Sequence, residues 1–131
     1  MSAANRDLSL FVIFQIELLL QGSLFMAIEY QIVRIFCTKM KSEFFELSED
    51  ERVAFMAKDR GNLDELGMKA ISMVDCSKTD DEWDYIGVES WPSLEAIKER
   101  ERFENDELQI SKYIEYKTHI GVGQSFDDYG K

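Results

Sequence analysis

The sequence predicts an α+β domain with the chain order β-α-β-β-α-β. Three observations predict it. Four short stretches, 27–37, 68–75, 83–91 and 117–124, are rich in the β-branched and aromatic residues that suit strands. Two longer stretches, 48–66 and 93–113, open on serine caps and carry apolar residues at helical spacing. The chain has 131 residues, 45% hydrophobic and 12% aromatic, which suffices for one packed core and is short for two.

The first strand reads AIEYQIVRIFC. In the helix that follows, Ser48 with Glu51 three residues later forms a capping box. Val53, Phe55, Met56, Leu63 and Leu66 supply its apolar stripe, Gly61 marks a break, and Gly67 stands where helices stop. The second strand, MKAISMVD, leads through the acidic loop SKTDDE to the third, WDYIGVESW. Pro92 ends that strand because it cannot donate to a ladder. Ser93 caps the second helix, which has Glu95 in its first turn and Leu94, Ile97, Phe103, Leu108 and Ile110 for its buried side. The run Glu104-Asn105-Asp106 is a plausible break in it. KTHIGVGQ is the fourth strand, and the tail SFDDYGK reads as loose or wrapped on a partner. This order is the split β-α-β, or ferredoxin-like, arrangement: a four-stranded antiparallel sheet with both helices on one face.

Alternation along the strands separates two sets of side chains. Val33, Ile35, Ile86, Val88, Ile120 and Val122 are small and branched, and are expected under the helices. Tyr30, Ile32, Arg34, Phe36, Trp83, Tyr85, Glu89, Trp91, His119 and Gly121 form the other set, expected on the open face. So many rings facing water imply a cover. A second copy is the simplest one, since two-fold dimers are the commonest oligomers. Cys37 and Cys76 end the first two strands and are expected at opposite ends of the sheet, as free thiols in a reducing, cytoplasmic compartment.

Charge excludes other functions. Lys and Arg number 15 against 26 Asp and Glu, a net charge of −11. Nucleic-acid binding starts from a basic patch, which is missing here, and the same balance opposes docking on an anionic membrane. Two cysteines and one histidine make no structural zinc set, and no Gly-rich phosphate loop follows a strand. Neither a metal nor a cofactor is expected. The acids Asp75, Asp80, Asp81, Glu82 and Asp84 lack the spacing of a calcium loop and read as a solvated hairpin tip, beside which Cys76 is unreactive.

The most apolar window is LSLFVIFQIELLLQGSLF, residues 8–25. Arg6 is followed at once by Asp7 and no small-residue cleavage site follows, unlike a signal peptide. Gln15, Glu17, Gln21 and Gly22 interrupt it as a membrane span. The remaining reading takes Met26 as the start, with residues 1–25 as an extension and 26–131 as the domain. If the extension is ordered, a partner subunit covers it, and the dimer assembles further through it.

The segment VESWPSLEAIKE resembles the strand-to-helix junction of antibiotic-biosynthesis-monooxygenase-like proteins, and FFELSEDERVAF resembles the first-helix entry of small uncharacterised barrels. From Tyr30 to Gln124 the chain thus resembles the dimeric α+β barrel superfamily. The resemblance implies a homodimer with helices outside. It leaves chemistry open, since the superfamily holds cofactor-free monooxygenases, isomerases, haem-degrading enzymes, dismutating and peroxidase members, and proteins without a known reaction. The haem-degrading members hold iron with a histidine of the second helix. No histidine stands between Ser93 and Tyr113, which argues against haem.

Two functional readings follow. In one, the barrel is non-catalytic, with a small hydrophobic-ligand pocket walled by Tyr30, Arg34, Trp83, Tyr85, Glu89 and Trp91. In the other, His119 is the acid/base of a cofactor-independent enzyme acting on a small aromatic substrate, with Glu89 and Arg34 beside it. The same residues also read as an aromatic core and a histidine satisfied in a dimer seam.

Overall fold

A computed structural model describes residues 31–131. Tyr30 and the apolar extension 1–25 lie outside the described residues. Ile32–Gly121 form one compact unit, and Val122–Lys131 belong to another. The order is β1 (Ile32–Met40), α1 (Ser42–Glu46), α2 (Glu49–Glu65), β2 (Lys69–Asp75), β3 (Tyr85–Trp91), α3 (Leu94–Asp106) and β4 (Ile114–Val122). The sheet order is β2-β3-β1-β4. β3 runs antiparallel to both β1 and β2. This is the expected ferredoxin-like α+β arrangement, with α1 as an additional short helix.

Local chemistry sets the boundaries. The Ser48 side chain accepts from the Glu51 N–H at 3.1 Å, and the Glu51 carboxylate accepts from the Ser48 N–H at 3.1 Å. That is the reciprocal capping box at the start of α2. Gly67 has φ +82°, a left-handed conformation that glycine adopts without a Cβ penalty, and it ends the helix. Ser93 Oγ accepts from the Ala96 N–H and opens α3. That helix stops at Asp106. Leu108 and Ile110 are buried beyond it, the latter opening a 3₁₀ turn (Ile110–Lys112). No described helix is long and apolar enough to cross a membrane.

The helices cover one face of the sheet. Near one end of it, Trp91, Leu63, Met68 and Ile97 form a buried cluster with Ile32, Leu66 and Ala96. A second cluster joins Leu108, Ile110 and Ile114 to Met40, Phe55, Phe103, Tyr113 and Tyr116. Of the expected α2 stripe, Leu63 is buried and Phe55 packs inward, while Val53 and Met56 are exposed. Their positions fall on the outer side of a helix whose inward residues are spaced by Phe55, Asp59, Asn62 and Leu63.

The expected assignment of faces is reversed in β1 and β3. Arg34, Glu89 and Trp91 are buried under the helices, whereas Ile35 is 38% exposed. Cross-strand register keeps each set together: Ile32 opposes Trp91, Arg34 opposes Glu89 and Phe36 opposes Gly87 on the covered side. Val33, Ile35 and Cys37 oppose Ser90, Val88 and Ile86 on the other side. Gly87 lies under the Phe36 ring, where a Cβ would collide with it. β4 follows the expected parity. The Lys41 N–H bonds the Tyr113 carbonyl at 2.9 Å, and counting back along the pair sets Ile120 opposite Arg34 and His119 opposite Ile35. Ile120 and Val122 are nevertheless exposed, towards the end of the strand.

The cysteines also differ from expectation in place. β1 and β2 are both antiparallel to β3 and so parallel to each other. Cys37 and Cys76 therefore stand at the same end of the sheet, not at opposite ends. Both are free. β3 lies between their strands, and two strand spacings of ~4.8 Å exceed the Cα reach of a disulfide.

Candidate functional site

The polar centre of the described residues lies between the two apolar clusters. Along β1 it comes between Ile32 and Met40, and along α3 and the turn after it between Ile97 and Leu108. Arg34 Nε donates to Glu89 Oε1 at 2.6 Å, and its Nη1 donates to Glu104 Oε1 at 3.1 Å. Trp91 Nε1 donates to the same Glu89 oxygen at 3.2 Å, and the Arg34 guanidinium lies 5.1 Å from the Trp91 ring centre. Arg100, one turn before Glu104 on α3, pairs with Asp59 and donates from Nη1 to Asn62 Oδ1 at 2.9 Å. Its Nε lies 3.4 Å from Glu104 Oε2, close enough for an ion pair but without a hydrogen bond.

The electrostatics follow from burial and pairing. Burial works against the Arg34 charge, yet its bond to Glu89 and the charges of Glu104 and Glu89 outweigh that and raise its pKa. Burial pushes the Glu104 carboxyl up, against the pull of Arg34 and Arg100. The Tyr116 phenol is pushed up by burial and then by the charges of Glu104 and Glu101. Burial also raises the Cys76 thiol, helped by Asp80, which agrees with the expected low reactivity. Cys76 Sγ donates to the Trp83 carbonyl at 3.3 Å.

The acidic loop is occupied with its own backbone. Asp80 accepts from the N–H groups of Glu82 and Trp83, both at 2.8 Å, and Asp75 accepts from the Ser77 N–H and hydroxyl. These bonds lower both carboxyls. Asp84 accepts from the Met40 N–H at 2.9 Å and ties the loop to β1.

Of the expected pocket residues, Arg34, Glu89 and Trp91 come together, but inside the core and on each other. Their polar atoms are engaged there, so they are not walls of the open face. Trp83 precedes β3 and is half-buried; Tyr85 starts β3, opposite Thr38 and Asp75, on the covered side. His119 is exposed on the other face, with the sheet between it and the Arg34–Glu89 pair. The expected trio of His119, Glu89 and Arg34 is therefore not formed. The residues that sequence reasoning missed are Glu104 and Arg100. Their signal was there: opposite charges four apart on α3, among apolar positions aimed inward.

No family model matches the chain, and neither does any curated protein. Solved structures do match. The chain is similar to a chlorite dismutase-like protein at 16% identity, over 73% of this chain and 45% of that one, with a TM-score of 0.56. It is also similar to a variant of the chlorite dismutase of Candidatus Nitrospira defluvii, at 15% identity over 74% and 42% of the two chains, with a TM-score of 0.58. The chain folds as a ferredoxin-like α+β unit. At such identity the likeness shows the fold alone, and this chain spans under half the length of those proteins. A haem held from the second helix does not fit the residues present. α3 turns Ile97, Arg100 and Glu104 inward, none of them a usual haem ligand, and both charged groups are already paired.

Proposed function

We propose that this protein works as a homodimer whose two sheets face each other and enclose a small hydrophobic ligand, without a reaction of its own. The observation that carries this reading is the sheet face opposite the helices. Val33, Ile35 and Cys37 of β1, Ile86 and Val88 of β3 and Val74 of β2 make it apolar, with Ile35 38% and Val74 53% exposed. A contiguous apolar sheet face marks an association surface. Two such faces leave between them a space lined by branched aliphatic side chains, suited to an apolar ligand.

Light scattering tests the assembly. The full chain is expected at twice its 15.3 kDa, and Ile35→Lys at the mass of one chain with its circular dichroism unchanged. A monomeric wild type, or an Ile35→Lys dimer, would overturn the reading.

His119 favours a second reading, that of a cofactor-independent monooxygenase- or isomerase-like enzyme. Its exposed imidazole, opposite Ile35, would face the enclosed space as its acid/base. Anilinonaphthalene sulfonate serves as an apolar probe. If the protein is a binder, His119→Ala retains the dimer and binds the probe within about 2-fold of wild type, because burial of the probe is the main term. Loss of turnover of an aromatic substrate in the same variant, with probe binding intact, would instead favour the enzyme.

A further inference from the structure

The charge cluster between the helices and the sheet is unbalanced. Among the described residues it holds two cations, Arg34 of β1 and Arg100 of α3. Against them stand three carboxylates, Glu89 of β3, Glu104 of α3 and Asp59 of α2. Among the described residues, Tyr116 of β4 also faces Glu104, and feels the charge of Glu101 as well. An excess negative charge in a site of low dielectric is costly, and a bound proton removes it. The three carboxylates are not equally placed to take that proton. Asp59 retains contact with water, at 23% side-chain exposure. Glu89 Oε1 accepts two hydrogen bonds, from Arg34 and Trp91. Glu104 is buried, accepts one bond on Oε1, and has no hydrogen bond on Oε2 among the described residues, where Arg100 Nε is left without a partner. A proton on Glu104 Oε2 therefore breaks no existing hydrogen bond, at the cost of the 3.4 Å ion pair with Arg100 Nε.

We propose that this cluster is a proton-binding joint: it takes up one proton, on Glu104, and α3 is held to the sheet more firmly with that proton than without it. Glu104 is the residue through which α3 reaches Arg34 of the central strand, so its charge acts on the contact between the layers. Burial, which pushes the Glu104 carboxyl up, acts in the same direction. The sign follows. A carboxyl whose pKa is higher in the folded than in the unfolded chain stabilises the fold below its unfolded pKa. That stabilisation is lost as pH rises through the folded pKa. The joint thus loosens on the alkaline side and tightens on mild acidification.

Glu104→Gln tests this, since it keeps the shape of the protonated side chain. Thermal melts of both proteins from about pH 3.5, below the unfolded glutamate pKa of about 4.3, to about pH 8 span the relevant range. The two should melt together at the acid end. Wild type should fall below the variant as pH rises, by about 4 °C for each unit by which the folded pKa exceeds the unfolded one. Wild type melting above Glu104→Gln at the alkaline end, with the gap closing in acid, would mean that ionised Glu104 holds the joint, and would overturn the proposal. A second measurement needs no variant. In protein labelled with carbon-13 at the glutamate carboxyls, one carboxyl should titrate above the others. A common titration of all of them would overturn the proposal as well.

Discussion

Arg34→Met is expected to lower the stability of the fold by about 3–5 kcal/mol, the usual cost of removing one partner from a buried ion pair. Methionine fills much the same volume, so little of the loss is cavity. The cost arises because Glu89 and Glu104, both buried, are left facing one another without the cation that joins them. Trp91 also loses the guanidinium over its ring. Urea denaturation reads the change as a lower midpoint. Two further outcomes separate this cause from a general loss of packing. Adding Glu89→Gln to Arg34→Met should restore part of the stability, because one unpaired charge is removed while the acceptor for the Trp91 N–H remains. The deficit of the single variant should also shrink as pH falls, because protonation neutralises the stranded carboxylates. A deficit that is the same at all pH values would place the cost in packing instead.

Trp91→Ala should be of similar size, about 3–5 kcal/mol, by creating a cavity in the core. Trp91 is 3% exposed and packs with Leu63, Met68 and Ile97. Its removal also takes the indole N–H from Glu89 and the ring from Arg34. Since a domain of this kind is stable by only about 5–15 kcal/mol, a large share of the total is lost. Circular dichroism in urea is the suitable probe, because only Trp83 would remain for fluorescence. The position of Trp91 on the sheet makes the outcome informative. A wall of an open-face pocket could be truncated with little loss of stability, whereas this residue belongs to the covered core. Unchanged stability together with loss of the dimer would return it to the open face.

Much of the chain order was legible in the residues. The capping box at Ser48 and Glu51, the left-handed Gly67, Pro92 after the third strand and Ser93 before the second helix are local devices. Each works through atoms a few residues apart, so the sequence carries them in plain view. The first strand runs on past Cys37, and the helix opened by Ser93 stops short of Tyr113, because those ends are set by packing. Met40 is drawn into the cluster beneath α2, and the chain leaves the helix after Asp106 so that Leu108 and Ile110 can be buried.

The candidate site was legible in composition and not in arrangement. Arg34, Glu89 and Trp91 were recognised as one face of the central strands, and they are. His119 was grouped with them, but the pairing that begins at Lys41 and Tyr113 carries it to the opposite side, beside Ile35. Register between strands more than seventy residues apart depends on how the chain closes, and a shift of one residue exchanges the faces.

By itself, then, the sequence determined the α+β class, the order of the elements, the local signals that begin and end them and the acidic balance of the chain. Only the tertiary structure decided which face of the sheet lies under the helices. Alternation divides a strand into two sets but gives neither set a sign. The expected rule, small apolar residues inside and charges outside, failed because burying Arg34 and Glu89 becomes affordable once Glu104, Arg100 and Asp59 arrive from two other elements. Those partners are distant in the chain, 70 residues apart for Arg34 and Glu104, and the fold alone brings them together.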